Sequence, residues 1–182
     1  YSFSTLGTGG FATKNASIAA YNSVAIEWII CIFMILAGVN FSLYFFLLTG
    51  RAREFFKNTE LKAYFGILFT SILLITIFLF PQTNNIKEAF RLAAFQTATI
   101  MSTTGFATAD YELWLPAAQL VLFFLMFVGG SSGSTSGGVK VIRWVILGKQ
   151  MHNETKQMLH PHGVFSIRLN GEVGRKEVIY NV

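Results

Sequence analysis

Threonine and glycine recur in one pattern at two places in this chain. Ser4-Thr5-Leu6-Gly7-Thr8-Gly9-Gly10-Phe11-Ala12-Thr13 aligns without gaps on Thr99-Ile100-Met101-Ser102-Thr103-Thr104-Gly105-Phe106-Ala107-Thr108, pairing Thr8 with Thr103 and sharing a Gly-Phe-Ala-Thr string. A short extended loop of such residues suits the selection of a cation by backbone carbonyls. Glycine lets peptide groups turn without a Cβ clash, so that their oxygens converge and replace an ion's water shell, and threonine hydroxyls add neutral oxygen ligands. Uncharged oxygens suit potassium, which is large and cheaply dehydrated, whereas calcium and magnesium favour carboxylates. The candidate potassium ligands are Thr8, Gly9 and Gly10 in the first copy and Thr103, Thr104 and Gly105 in the second. Asp110 and Glu112, just beyond the second loop, would draw cations to an outer mouth. An ordinary turn between two helices competes with this reading for one such loop, and two copies in the same context favour the repeat.

A second stretch, Gly129-Gly130-Ser131-Ser132-Gly133-Ser134-Thr135-Ser136-Gly137-Gly138, interrupts an apolar run. It holds a helix poorly but offers hydroxyls and peptide groups to a wet cavity, the setting in which irregular backbone is tolerated at membrane depth. Gly129, Gly130, Gly133, Gly137 and Gly138 are therefore candidates for a movable gate, with a passive helix kink as the alternative. Lys140 and Arg143 follow it, spaced to share a helix face. The plain reading of Arg143 is a side chain snorkelling to the headgroups.

Positioning such loops requires a membrane scaffold, and the composition supplies one. Of 182 residues, 53% are hydrophobic and 15% aromatic, while 13% are charged, against about 25% in soluble domains. Mean hydropathy is +0.52. Three prolines and few acidic residues exclude a disordered chain. The apolar runs predict a transmembrane helix over Val24–Leu48, a second over Tyr64–Phe80 stopped by Pro81, and a broken span from Leu115–Val128 to Val139–Leu147. Between the second and the broken span, Glu88–Met101 is too short and polar to cross lipid, and fits a re-entrant helix buried in protein. One unit is thus span, re-entrant helix, Thr/Gly loop, span, complete in residues 63–148. Residues 1–62 hold the end of an earlier unit, and 149–182 a cytoplasmic segment leading onward. The opening Tyr1-Ser2-Phe3 carries no leader pattern and reads as a piece of a longer protein.

Charge sets the orientation. Arg51, Arg53, Lys57 and Lys62, balanced only by Glu54 and Glu60, place the loop after the first span in the cytoplasm, as do Lys149, Lys156, Arg168, Arg175 and Lys176 for the tail. Lys14, Lys87 and Arg91 against Glu27, Glu88, Asp110 and Glu112 leave the outer side slightly acidic. These basic residues flank apolar runs, which speaks against nucleic acid and for membrane lipid as the partner.

Catalysis finds no support. Gly138-Val139-Lys140-Val141 lacks the Gly-Lys-Ser/Thr of a phosphate-binding loop, Gly130-Ser131-Ser132-Gly133 has the wrong spacing for a nucleophile elbow, and no ligand set completes His160-x-His162. The lone Cys31 lies in an apolar run and forms no intrachain disulfide. The rival class is a secondary transporter binding another small solute at the ends of a discontinuous helix, which would need one cavity rather than two matching loops.

Over nearly its whole length the sequence resembles the TrkH/KtrB/HKT superfamily of potassium transporters, most closely its bacterial TrkH type. The resemblance rests on Ser4–Thr13, Thr99–Thr108, Gly129–Arg143, and His160-Pro161 followed by Arg168-Leu169-Asn170-Gly171. It implies an all-α integral membrane protein in which four membrane–pore–membrane repeats of the potassium-channel type surround one pore. Thr8–Gly10 would belong to the second quarter of the filter and Thr103–Gly105 to the third. It further implies that the 129–138 run obstructs the pore until it moves, and that Arg143 faces the pore as an electrostatic barrier. The complete protein would be a homodimer in the cell inner (cytoplasmic) membrane, gated by a cytoplasmic nucleotide-binding TrkA-type subunit docking on the basic loops.

Overall fold

The computed structural model describes residues 1–159, 168–169 and 172–173. Eight α-helices carry the fold among them: α1 (Ser2–Leu6), α2 (Val24–Ala37), α3 (Phe41–Leu48), α4 (Ala52–Lys57), α5 (Thr59–Thr83), α6 (Ile86–Met101), α7 (Pro116–Met126) and α8 (Val141–Leu159). Two 3₁₀ turns, Ser17–Tyr21 and Tyr111–Leu113, sit in the connections, and Arg168–Leu169 pairs antiparallel with Glu172–Val173. His160-Pro161 and Asn170-Gly171 lie outside the described residues.

The scaffold centres on α5, the one helix among the described residues that is long and apolar enough to cross a membrane alone. Its 25 residues extend about 37 Å, more than the hydrocarbon thickness of a bilayer. The Asn58 side chain starts it by accepting from the Leu61 N–H at 3.0 Å, and Asn84, left-handed at φ 50°, ends it. The predicted stop at Pro81 falls inside the helix. In the last turn the missing proline N–H removes a single bond, and the helix continues to Thr83. Asn85 then caps α6 through the Lys87 N–H, and α6 returns along α5. Its buried Ala89, Ala93, Ala94 and Ala98 permit that close approach. Tyr64, Leu68, Ile72, Ile75 and Leu79 of α5 and Leu122 of α7 complete the core.

Two expectations are corrected here. The span predicted as continuous over Val24–Leu48 is two helices bent by 95° at residues 38–40. Hydropathy runs unbroken through this point, but Gly38 must pass the Tyr64 hydroxyl, which donates to the Ile35 carbonyl at 3.0 Å. A Cβ on Gly38 would lie 2.3 Å from that oxygen. Asn40 then restarts the chain as α3 by accepting from the Ser42 N–H at 2.9 Å. The second correction concerns the tail: α8 does not end at Leu147 but continues helical through Gly148 to Leu159.

Candidate functional site

The two Thr/Gly loops share their backbone construction as well as their sequence. After α1 the N–H groups of Gly7, Thr8 and Gly9 donate to the carbonyls of Phe3, Thr5 and Ser4 at 2.8, 3.2 and 2.8 Å. After α6 the N–H groups of Ser102, Thr103 and Thr104 donate to Ala98, Ile100 and Thr99 at 3.0, 2.9 and 2.9 Å, the aligned positions throughout. Each set is a helix C-terminus closed by a Schellman motif. Its left-handed residue, commonly glycine, is here a threonine in both copies, with φ 49° at Thr8 and 56° at Thr103. A β-branched residue in that region costs about 1–3 kcal/mol, so something other than local preference keeps threonine there. Two residues on, Gly10 and Gly105 are left-handed as well, at φ 67° and 86°.

The loops meet. A Cβ on Gly10 would lie 2.0 Å from the Thr104 carbonyl oxygen, so only glycine brings the first loop this close to the second. Thr104 is buried, its hydroxyl 2.7 Å from that of Ser102, whereas Gly105 faces open space, with nothing within 4 Å of its Cβ position. Behind them the Ala107 N–H donates to Ser17 Oγ at 3.3 Å, joining the segment that follows one loop to the segment that follows the other.

The 129–138 run is a compact knot beside both loops. Its neck is closed where Gly129 N–H donates to the Val139 carbonyl at 2.9 Å and Val141 N–H to the Gly130 carbonyl at 3.1 Å. Cβ atoms on Gly129 and Gly130 would fall 2.1 Å from Gly137 O and 2.0 Å from Ser136 Oγ, so neither position has room for a side chain. The crown touches both threonines that adopt the left-handed conformation. Thr8 Oγ1 donates to the Thr135 carbonyl at 2.9 Å, Thr135 Oγ1 donates to the Leu6 carbonyl at 2.9 Å, and Gly137 N–H donates to Thr103 Oγ1 at 2.6 Å. These hydroxyls are the reason glycine would not serve at 8 and 103.

On the knot's other side lies the α2–α3 elbow. Ser131 N–H donates to the Gly38 carbonyl at 2.8 Å, and Phe41 N–H to the Gly133 carbonyl at 3.1 Å. Two interrupted helices thus satisfy each other's freed peptide groups. From α5, the buried Glu60 carboxylate accepts from Ser132 N–H at 2.5 Å, close to the Ile142 backbone in the first turn of α8. Lys140 stands near that carboxylate and hydrogen-bonds the Ser136 carbonyl. Arg143, one turn into α8, is exposed.

The structure therefore gathers Thr8, Gly10, Thr103, Thr104, Gly129, Gly130, Gly133, Gly137, Gly138 and Lys140 into one contiguous region, with Gly9 and Gly105 exposed at its surface. The sequence reading missed Glu60, Gly38 and Asn40. The signal for Glu60 is a lone acid opening an apolar helix, which in the sequence reads as a counter-charge to the loop's basic residues. Farther from the loops, Arg91 of α6 and Glu27 of α2 form an ion pair at 3.1 Å. No group of three or more His, Cys, Asp or Glu side chains able to hold a metal occurs among the described residues.

The described residues are mostly helical, with paired Thr/Gly loops and interrupted helices, and comparison with known proteins supplies the family. Residues 1–182 match the family profile TrkH, described as a cation transport protein. The chain belongs to that family. It is 36% identical over 172 residues to the Trk system potassium uptake protein TrkH of Escherichia coli (strain K12), covering 93% of this chain and 36% of that protein. It is 28% identical over 185 residues to TrkG of the same strain, with 100% and 38% covered. The crystal structure of the potassium transporter TrkH from Vibrio parahaemolyticus superposes with a TM-score of 0.90 at 34% identity, over 97% of this chain and 39% of that one. The chain thus spans little more than a third of the length of the relatives it matches.

Proposed function

We propose that this chain forms part of a potassium uptake pathway across the cytoplasmic membrane. In this reading Thr8, Gly9, Gly10, Thr103, Thr104 and Gly105 supply two adjacent quarters of a carbonyl-lined filter, and the 129–138 knot gates it from below, with Lys140 and Arg143 at its inner edge. Residues 63–148 make one membrane–pore–membrane unit, 1–62 the end of the unit before it, and 149–182 the lead to the next. Potassium is cargo here, and none of the chemistry is enzymatic. The observation that carries the reading is the mutual fit of the parts: two loops of equal backbone construction touch at Gly10 and Thr104, and one interrupted helix hydrogen-bonds both through Thr8 and Thr103. Moving the knot would break those bonds and free the space beside the loops. The Trk relatives are potassium uptake proteins by name, which accords with the neutral-oxygen chemistry. A homodimer in the inner membrane with a cytoplasmic TrkA-type subunit completes the proposed assembly.

The test is potassium and sodium uptake into proteoliposomes by a full-length transporter carrying this sequence, with and without Gly105→Asp. Aspartate tolerates the left-handed backbone better than most residues and Gly105 faces open space, so the chain should fold with a carboxylate beside the loop carbonyls. Potassium-selective flux that the substitution abolishes or makes unselective is the expected result. Flux indifferent to cation and substitution would return the loops to ordinary turns and favour a secondary transporter built on the broken helices.

A further inference from the structure

Apart from the Phe41 N–H that bonds Gly133, the hairpin of α3 and α4 takes no part in the loops or the knot, and it leaves directly from the elbow that grips the knot. Its surface is unusual. Phe45 is 64% exposed, Leu48 85% and Phe56 65%, and with Phe41 the first two follow the spacing i, i+4, i+7 that marks one side of a helix. Leu43 on another face of α3 is buried. Beside this apolar face stand the exposed Arg51, Arg53, Lys57 and Lys62, with Glu54 the one exposed acid among them, since Glu60 is turned inward to Ser132.

The direction of the hairpin follows from the elbow. Gly38 bonds Ser131, whose neighbour Ser132 bonds Glu60 in the first turn of α5, so the elbow lies level with the basic end of α5. With α5 crossing the membrane and the 14-residue α2 aligned with it down to that level, a 95° turn there lays α3 in the plane of the interface. An apolar face, flanking basic residues and an in-plane axis are together what an interfacial helix needs: the face enters the acyl boundary and the basic side chains reach acidic headgroups.

We infer that the α3–α4 hairpin docks on the cytoplasmic leaflet and binds anionic lipid through Arg51, Arg53 and Lys57, anchoring the elbow that holds the 129–138 knot. The inference rests on the transmembrane orientation of α5 and not on the identity of the transported ion.

The experiment uses a full-length, otherwise cysteine-free transporter carrying Phe45→Cys, labelled with an environment-sensitive fluorophore, in vesicles of phosphatidylcholine with and without phosphatidylglycerol. Leu48→Cys serves as a second site should Phe45→Cys fold poorly. The label should be quenched by doxyl-labelled lipid and spared by aqueous iodide. Quenching by doxyl-phosphatidylglycerol should exceed that by doxyl-phosphatidylcholine, and the preference should fall up to about five-fold for each of Arg51→Gln, Arg53→Gln and Lys57→Gln. Three results overturn the inference. A label reached by neither quencher means that protein covers the hairpin, whether a second copy or another subunit. Iodide quenching means that it stands in water, and equal quenching by the two lipids removes the anionic preference. Because quenching is read without flux, failure of the filter reading leaves this outcome interpretable.

Discussion

Removing the Glu60 carboxylate should open the pathway rather than close it. Glu60 Oε1 accepts from Ser132 N–H at 2.5 Å in a buried setting, with Ile142 and Lys140 close by, so one side chain ties the knot to α5 beside the start of α8. A hydrogen bond to a charged group contributes about 1.5–3 kcal/mol. If it exists only while the knot is seated, its loss shifts the seated-to-released ratio by about 10- to 150-fold. Glu60→Ala should therefore raise radiotracer rubidium uptake by the full-length protein, at equal amounts in the membrane. The potassium-to-sodium ratio should hold, because Glu60 touches neither Thr8–Gly10 nor Thr103–Gly105. Glu60→Gln keeps an acceptor oxygen and should give a smaller rise. Ser132→Pro removes the donor instead, and combined with Glu60→Ala its effect should fall well short of additive. Uptake at or below the parental level in Glu60→Ala, per folded molecule, would refute the argument and make the carboxylate a structural cap for α8.

Two further outcomes follow from the loops. Both positions are left-handed, at φ 67° and 86°, but Gly10→Ala adds a Cβ that would lie 2.0 Å from Thr104 O, whereas the Cβ of Gly105→Ala meets nothing within 4 Å. The former should therefore lose far more thermal stability and cation selectivity, measured as unfolding temperature in detergent and as flux ratio. Thr103→Ser keeps the oxygen that accepts from Gly137 N–H at 2.6 Å, and Thr103→Val keeps the shape without it. The valine variant should release the knot by about 1 kcal/mol, seen as raised uptake, while the serine variant stays near the parent.

The parts legible in the sequence were those written in local terms. Gly-Phe-Ala-Thr repeated in one register foretold like backbone at Gly10 and Gly105, because a left-handed position constrains residue type locally, whereas the left-handed Thr8 and Thr103 are held by distant bonds to the knot. The run of ten small residues foretold an interruption between α7 and α8 for the same reason. What escaped was decided by contacts distant in the chain. The α2–α3 elbow has no signature in hydropathy, since Gly38-Val39-Asn40 sits within an apolar stretch, and the cause of the bend is Tyr64 passing Gly38 and Ser131 claiming its carbonyl. Glu60 read as an ordinary counter-charge to Arg51 and Arg53 because its partner, Ser132, lies 72 residues away.

The same contacts explain why both interruptions persist. An irregular segment in an apolar setting costs the free energy of every unpaired peptide group, so an isolated break at 38–40 or at 129–138 would be unfavourable. Paired, they supply one another with Ser131 N–H to Gly38 O and Phe41 N–H to Gly133 O, and each needs the other in place. It follows that the knot does not move alone. Displacing it strips the elbow of its partners, so α3 should shift with the knot or the elbow should straighten toward the continuous helix its hydropathy favours. A spin-label distance between α3 and α6, measured in the parent and in Glu60→Ala, should therefore change as uptake rises. A distance that stays fixed while uptake increases would show the two interruptions to be independent.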